Sequence, residues 1–210
     1  MLPRVAYAVC LTALLCASIP AGAASLNKTY SYFSIGGNTL AEIEKELSRH
    51  GPHVQSTGNR HPGATQVEFT TRLGYSDSGK HCTIVKASVS VKAKVILPRW
   101  RQRSRSDGET RLIWDTLSAD IKRHEESHIV IAKNHARMLE DALKGIYRQK
   151  SCEQAAAKAK TISEKVLAAH DRAQEQFDKV EGINFESRIV RLLRYRMERI
   201  ETAKAKANGG

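Results

Sequence analysis

Polar and apolar positions divide the chain into a β-rich first half and a helical second half. Tyr30 to Ile35 predicts a short strand, stopped by Gly36-Gly37. Thr39-Leu40-Ala41-Glu42 has the capping-box spacing, so a helix is expected to about His50, with Leu40, Ile43 and Leu47 as its apolar stripe and Gly51-Pro52 as its stop. Gln66 to Tyr75 alternates, with Val67, Phe69, Thr71 and Leu73 on one face. After an Asp77-Ser78-Gly79 turn, a longer strand is predicted from Cys82 to Leu97. Val85, Ala87, Val89, Val91, Ala93 and Val95 share its apolar face, opposite Ile84, Ser88, Ser90, Lys92 and Lys94. These two strands predict an antiparallel hairpin.

Beyond a basic connector from Pro98 to Gly108, the period changes to 3.6. Glu109 to Tyr147 predicts a long helix in which Trp114, Leu117, Ile121, His124, His128, Ile131, His135 and Met138 form one core-facing stripe. A second helix is expected from Ser151 to about Val180. Gly182 interrupts it, and a third runs from Phe185 to Lys204 along Ile189, Leu192, Leu193, Met197 and Ile200. The expected fold class is α+β: a small antiparallel β-hairpin or sheet with an N-terminal helix, then a long α-helical hairpin and a C-terminal helix. A single domain over residues 24–204 and a disordered tail over 205–210 complete this reading.

The first residues change the picture of compartment. Met1-Leu2-Pro3-Arg4, an apolar run from Val5 to Ile19 and small residues up to Ala23 predict a signal peptide over residues 1–23. The run is too short for a membrane span, so no transmembrane anchor is expected in the mature form. Export to the periplasm or the medium follows. Removing one Arg and no acid lowers the formal net charge from +12 to +11. That charge suits anionic surroundings such as envelope polymers, while an exported chain without interleaved aromatic and basic residues argues against nucleic acid. Cleavage also removes Cys10 and Cys16, leaving Cys82 and Cys152. In an oxidising compartment these two have one intramolecular pairing, closing a loop of about 70 residues.

Inside the long helix stands His124-Glu125-Glu126-Ser127-His128. Histidines four apart project from one face about 6 Å apart along the axis, a spacing that lets both bind one zinc ion. Glu125 follows the first histidine, where it can act as general base toward water. A catalytic zinc needs a third protein ligand. His135 lies about 10 Å further along the same helix, too far unless the helix breaks, and is expected in the core or behind the ligands. Ile131 and Asn134 stand where a metzincin has Gly and its third His. If the next helix folds back about Gln149, position 128 faces about 171 and 124 faces about 175. His170, Asp171, Glu175 and Asp178 are then the candidates, and spacing does not separate them. Tyr147, His170 and Arg172 are candidate oxyanion donors.

The strand and capped helix ending Arg49-His50-Gly51-Pro52, Cys82 leading the long strand, Arg123 to His128, Cys152, and Phe177-Asp178-Lys179-Val180-Glu181 together resemble a family of secreted bacterial proteins. That family was first catalogued as a domain of unknown function and then described as predicted zinc-dependent proteases. The resemblance covers about residues 28–200. It implies an aromatic-Asp pair downstream of the histidines, matched here by Phe177-Asp178, and so favours Asp178 as third ligand or close support. The expected function is an exported zinc-dependent hydrolase, a metallopeptidase acting on peptide or protein substrates with Glu125 as base. The alternative is a non-catalytic envelope protein with a structural metal or core-histidine pair, binding anionic envelope polymers.

Overall fold

In the computed structural model, residues 24–54 and 58–208 are described; the expected signal peptide lies outside them. The fold is α+β. Five strands, β1 (Ser25–Ile35), β2 (His53–Val54), β3 (Asn59–Arg60), β4 (Ala64–Asp77) and β5 (Cys82–Trp100), combine with three helices, α1 (Leu40–His50), α2 (Gly108–Lys144) and α3 (Cys152–Asn208). The expected β4–β5 hairpin is present, and β1 joins its other side in parallel, giving the sheet order β1-β5-β4. Thr39 and Glu42 form the reciprocal capping box of α1.

Alternation in β5 holds from Ala87 to Leu97 and fails at its start. The register shifts at Gly74/Tyr75, so Gly74 faces Lys86 while Tyr75 faces Ile84, and Val85 is the extra residue. A bulge reverses which side chains face the core. Ile84 is therefore buried and Val85 is exposed, the opposite of the alternation read from sequence. Past the end of β1, the free edge of β5 is closed from the helical half. The Val89 N–H donates to the Glu140 carboxylate at 2.9 Å, and Cys82 and Gln149 exchange two backbone bonds of 2.8 Å. The Cys82–Cys152 disulfide stands beside that bridge.

The basic connector is more ordered than the sequence suggests. β5 continues to Trp100, which is buried against Trp114 and donates its indole N–H to Gly37 O. Arg103 makes a two-point pair with Asp115 at 2.6 Å for each bond.

The helices correct three expectations. In α2 the sheet-facing stripe is Ile121, Glu125, Ile129, Ala132, Ala136, Leu139 and Leu143. His124, His128 and His135 stand at its border, half-buried toward α3, and Met138 is exposed. Gly182 does not interrupt α3. Glycine keeps its N–H donor, so in a helix it costs only about 1 kcal/mol relative to Ala, unlike proline. The second and third expected helices are one element of 57 residues. It continues through Asn208, beyond residue 205 where the tail was expected. Among the described residues no helix is long and apolar enough to cross a membrane.

Candidate metal centre

Antiparallel packing of α2 and α3 brings three of the sequence-derived site residues together. His124 Nε2 and His128 Nε2 are 3.2 Å apart, and Asp178 Oδ1 lies 3.3 Å from the first and 3.1 Å from the second. The three atoms form a nearly equilateral triangle. Four donors about one ion at 2.0–2.1 Å are separated by about 3.3 Å in a tetrahedron, so the triangle has the size of one tetrahedral face. Two imidazoles and a carboxylate also match the donor types that zinc accepts. Among the described residues this is the one cluster of three His, Cys, Asp or Glu groups able to share an ion.

The register explains which candidate arrives. Asp178 meets 124 and Gln174 meets 128, three residues beyond the pairing expected from a tight turn at Gln149. The connector between the helices reaches out to pair with Cys82, and that detour supplies the offset. Glu175 and Asp171 are exposed outside the cluster. His170 is buried against Phe69 and His135, with its Nδ1 2.9 Å from Asp171. His135 itself turns Nδ1 to Ile131 O at 2.9 Å.

Gln174 is not among the candidates that the sequence offers. Its Nε2 donates to the His128 carbonyl oxygen at 3.1 Å, and that oxygen only accepts. The amide oxygen must then face His128 Nδ1, which it does at 2.5 Å. Nδ1 consequently carries the proton, and Nε2 is left to take a second proton or a cation. The same Nε2 of Gln174 reaches His170 at 2.8 Å, so His170 supports the cluster from behind. His170, Gln174 and Asp178 recur every four residues, one face of α3, and that recurrence is legible in the sequence. On the other side, Phe177 stacks on the His124 ring at 5.0 Å and Glu181 lies 3.6 Å from His124 Nδ1. Glu181 is in turn bonded by Arg123 and Arg188, and Arg188 also grips the buried Asp120.

Electrostatics favour positive charge in the triangle. Burial opposes the charge on Asp178, but hydrogen bonds from His124 and His128 outweigh it and hold its pKa well below the ordinary carboxylate range. Burial likewise opposes a charged His128, yet Asp178 and Gln174 raise its pKa.

Glu125 is the most buried member of the motif. Burial raises its pKa, partly countered by the Thr65 hydroxyl, which lies 2.8 Å from Oε2. Gly63 makes room for the other oxygen: a Cβ there would stand 2.9 Å from Glu125 Oε1 and 2.8 Å from Ile121 Cγ2. Neither Gly63 nor Thr65 carries a sequence signal, because β4 was expected to start at Gln66. Two clefts of about 250 and 270 Å³ open onto His124, Glu125 and Asp178. Of the oxyanion candidates, His170 lines the second, while Tyr147 and Arg172 line neither.

The profile of a family described as a bacterial protein of unknown function (DUF922) matches residues 30–186. The chain belongs to this family. The match spans the capped helix, the sheet, the histidine pair and Asp178, and stops within α3. No curated protein and no solved structure matches the chain. The family carries no assigned activity, so a functional reading rests on the geometry of the centre.

Proposed function

We propose that the protein is an exported zinc-dependent hydrolase, a metallopeptidase in which His124, His128 and Asp178 hold zinc and Glu125 is the general base. The observation that carries this reading is the triangle of donor atoms with a buried glutamate beside it. When bound, zinc supplies a Lewis acid that brings the pKa of water near 7 and polarises a carbonyl. Glu125 receives the water proton at Oε1, the oxygen beside Gly63, since Oε2 is engaged by Thr65. Its burial shields the carboxylate from bulk water, so the proton it takes is kept for return to the departing amine. Gln174 and Phe177 hold the imidazoles so that the donor atoms stay aligned.

A closed structural zinc site uses four protein ligands. Among the described residues three donors converge, and the cleft beside them leaves a position for water, which favours catalysis over the non-catalytic alternative. Export is supported by the disulfide, a bond typical of oxidising compartments.

The test is elemental analysis and peptide hydrolysis with the purified mature protein. About one zinc per chain is expected, lost in His124→Ala and His128→Ala. Glu125→Gln should keep the zinc and lose at least about a hundredfold in kcat, the scale of a missing general base. Protein that takes up no zinc, or a Glu125→Gln variant with full activity, overturns the proposal.

A further inference from the structure

The two clefts at the centre differ in chemistry. One lies between the start of β4 and α3 and is lined by Thr65, His128, His170 and Gln174. The other is walled by Pro62, Ile121 and Phe185, immediately beside His124 and Glu125. Apart from His124, Glu125 and Asp178 of the centre itself, the charged side chains of its lining, Asp120, Glu181 and Arg188, are paired with one another. Arg188 bonds Asp120 at 3.0 Å and 3.1 Å, and Glu181 at 3.2 Å. Away from the centre's own Glu125 and Asp178, that set leaves no charge to reward a charged side chain, which would enter at the cost of its hydration.

The apolar character continues away from the centre. Pro62, Ile121 and Phe185 also wall a cavity of about 400 Å³ between α1 and α2, lined further by Leu47, Ile113 and Leu117. Gly182 borders the apolar cleft in the interior of a 57-residue helix, where glycine is the least favourable residue after proline. Packing does not demand it: an added Cβ would meet no heavy atom within 4 Å. What a side chain at 182 would occupy is the space in front of the cleft.

We infer that this cleft is the subsite that selects a large apolar side chain, of the Leu, Ile, Met or Phe class, at one of the two residues flanking the scissile peptide bond. The inference rests on the metallopeptidase reading and names its substrate class: polypeptides cut beside large apolar residues. The occupant follows from continuity, since the apolar walls Pro62, Ile121 and Phe185 begin beside His124 and Glu125 and run on into the second apolar cavity. In an apolar pocket one methylene more or less changes the preference by roughly tenfold to two-hundredfold, so Leu against Ala should differ by at least about tenfold.

Two measurements on the zinc-loaded mature protein test it. Cut sites in a randomised peptide library, mapped by mass spectrometry, should show Leu, Ile, Met or Phe preferred over Ala, Asp and Lys by at least about tenfold at one flanking position. With Glu125→Gln, fluorescence anisotropy of peptides differing only there should show Leu bound about tenfold more tightly than Ala. Gly182→Leu, which favours the helix, should keep its zinc and its melting temperature while that Leu-to-Ala ratio collapses in both assays. Cleavage without an apolar preference, a preference for charged residues, or an unchanged ratio in Gly182→Leu overturns the subsite. An apolar preference in binding by Glu125→Gln, with no library member cleaved by the wild-type protein, leaves the cleft as a binding site for apolar side chains and overturns both the hydrolase reading and the placing of that site beside a scissile bond. No cleavage and no binding preference overturns both.

Discussion

The Thr65 hydroxyl at the start of β4 is shared between the main-chain oxygen of Glu125, at 2.9 Å, and its carboxylate, at 2.8 Å. One short side chain thus ties the sheet to the proposed base and fixes the side-chain torsions of Glu125. Two residues earlier, Gly63 supplies the space that the carboxylate fills. The entry to β4, from Gly63 to Thr65, therefore holds the Glu125 carboxylate from the sheet side.

Substitutions at the entry to β4 should damage catalysis without removing metal. Gly63→Ala places a methyl group against Glu125 and Ile121 and should lower kcat by about tenfold to a hundredfold, the scale of a misplaced catalytic group. Thr65→Val leaves a buried carboxylate oxygen without its donor and should cost about 1–3 kcal/mol of stability. Zinc stoichiometry by elemental analysis should match wild type in both. A Gly63→Ala variant that loses its zinc would place the role of this entry at the ligands instead.

The donors on α3 should separate by metal affinity. Asp178→Ala removes a corner of the triangle and should abolish tight zinc binding. Gln174→Leu leaves all three donors but frees the His128 ring, and should weaken affinity by about tenfold to a hundredfold, as loss of a supporting hydrogen bond does. Glu175→Ala, exposed and away from the cluster, should be silent. Competition titration with a chromophoric chelator ranks the three. Equal affinities for Gln174→Leu and wild type would show that the amide does not orient His128.

Much of this centre was legible in the sequence because its logic is local. A histidine pair at i, i+4 with Glu125 between is a statement about one helical face, and the capping box at Thr39 and Glu42 is equally short-range. The register of α3 against α2 was not legible. It depends on a connector that leaves the helical hairpin to pair with Cys82, a contact between residues 67 positions apart. Three residues of offset then distinguish Asp178 from Glu175. Ile84 and Val85 were misassigned for a related reason. A bulge opposite Gly74 is a property of two strands together, and alternation within one strand carries no trace of it. Gly182 reads as a break in the sequence because local propensity omits the packing of α3 along α2.

Acid should weaken the closure of the β5 edge. Burial opposes the charge of Glu140, but Lys144 and the Val89 N–H outweigh it and lower its pKa from the ordinary 4.5. A depressed carboxylate pKa contributes stability above the ordinary value, and that contribution is lost as pH falls through the folded value. Glu140→Ala should therefore cost about 1.5–3 kcal/mol near pH 7, the range for hydrogen bonds to a charged group. The difference from wild type should shrink below about pH 4.5. Urea unfolding at pH 7 and pH 3 decides the matter: equal differences at the two values would show that the Glu140 charge contributes nothing.

The Cys82–Cys152 bond should matter for stability and little for the metal. It closes a separation of 70 residues, worth about 4 kcal/mol of denatured-state entropy. In a chain of this size that corresponds to a melting temperature lower by about 8–16 °C in Cys82→Ser/Cys152→Ser. The triangle lies elsewhere. Cys152 opens α3 and Asp178 follows 26 residues later, about 39 Å along the helix. There the two helices are held together by Arg188 on Asp120 and by Arg123 on Glu181, independently of the disulfide. The double variant, assayed well below its melting point, should bind zinc with wild-type affinity and retain its kcat. Calorimetry and a zinc titration on the same preparation separate the two effects. If reduction releases zinc while the helices stay folded by circular dichroism, the disulfide itself, beyond the backbone bonds of Cys82 with Gln149, is needed to hold the α2–α3 register, and the independence of bond and centre is lost.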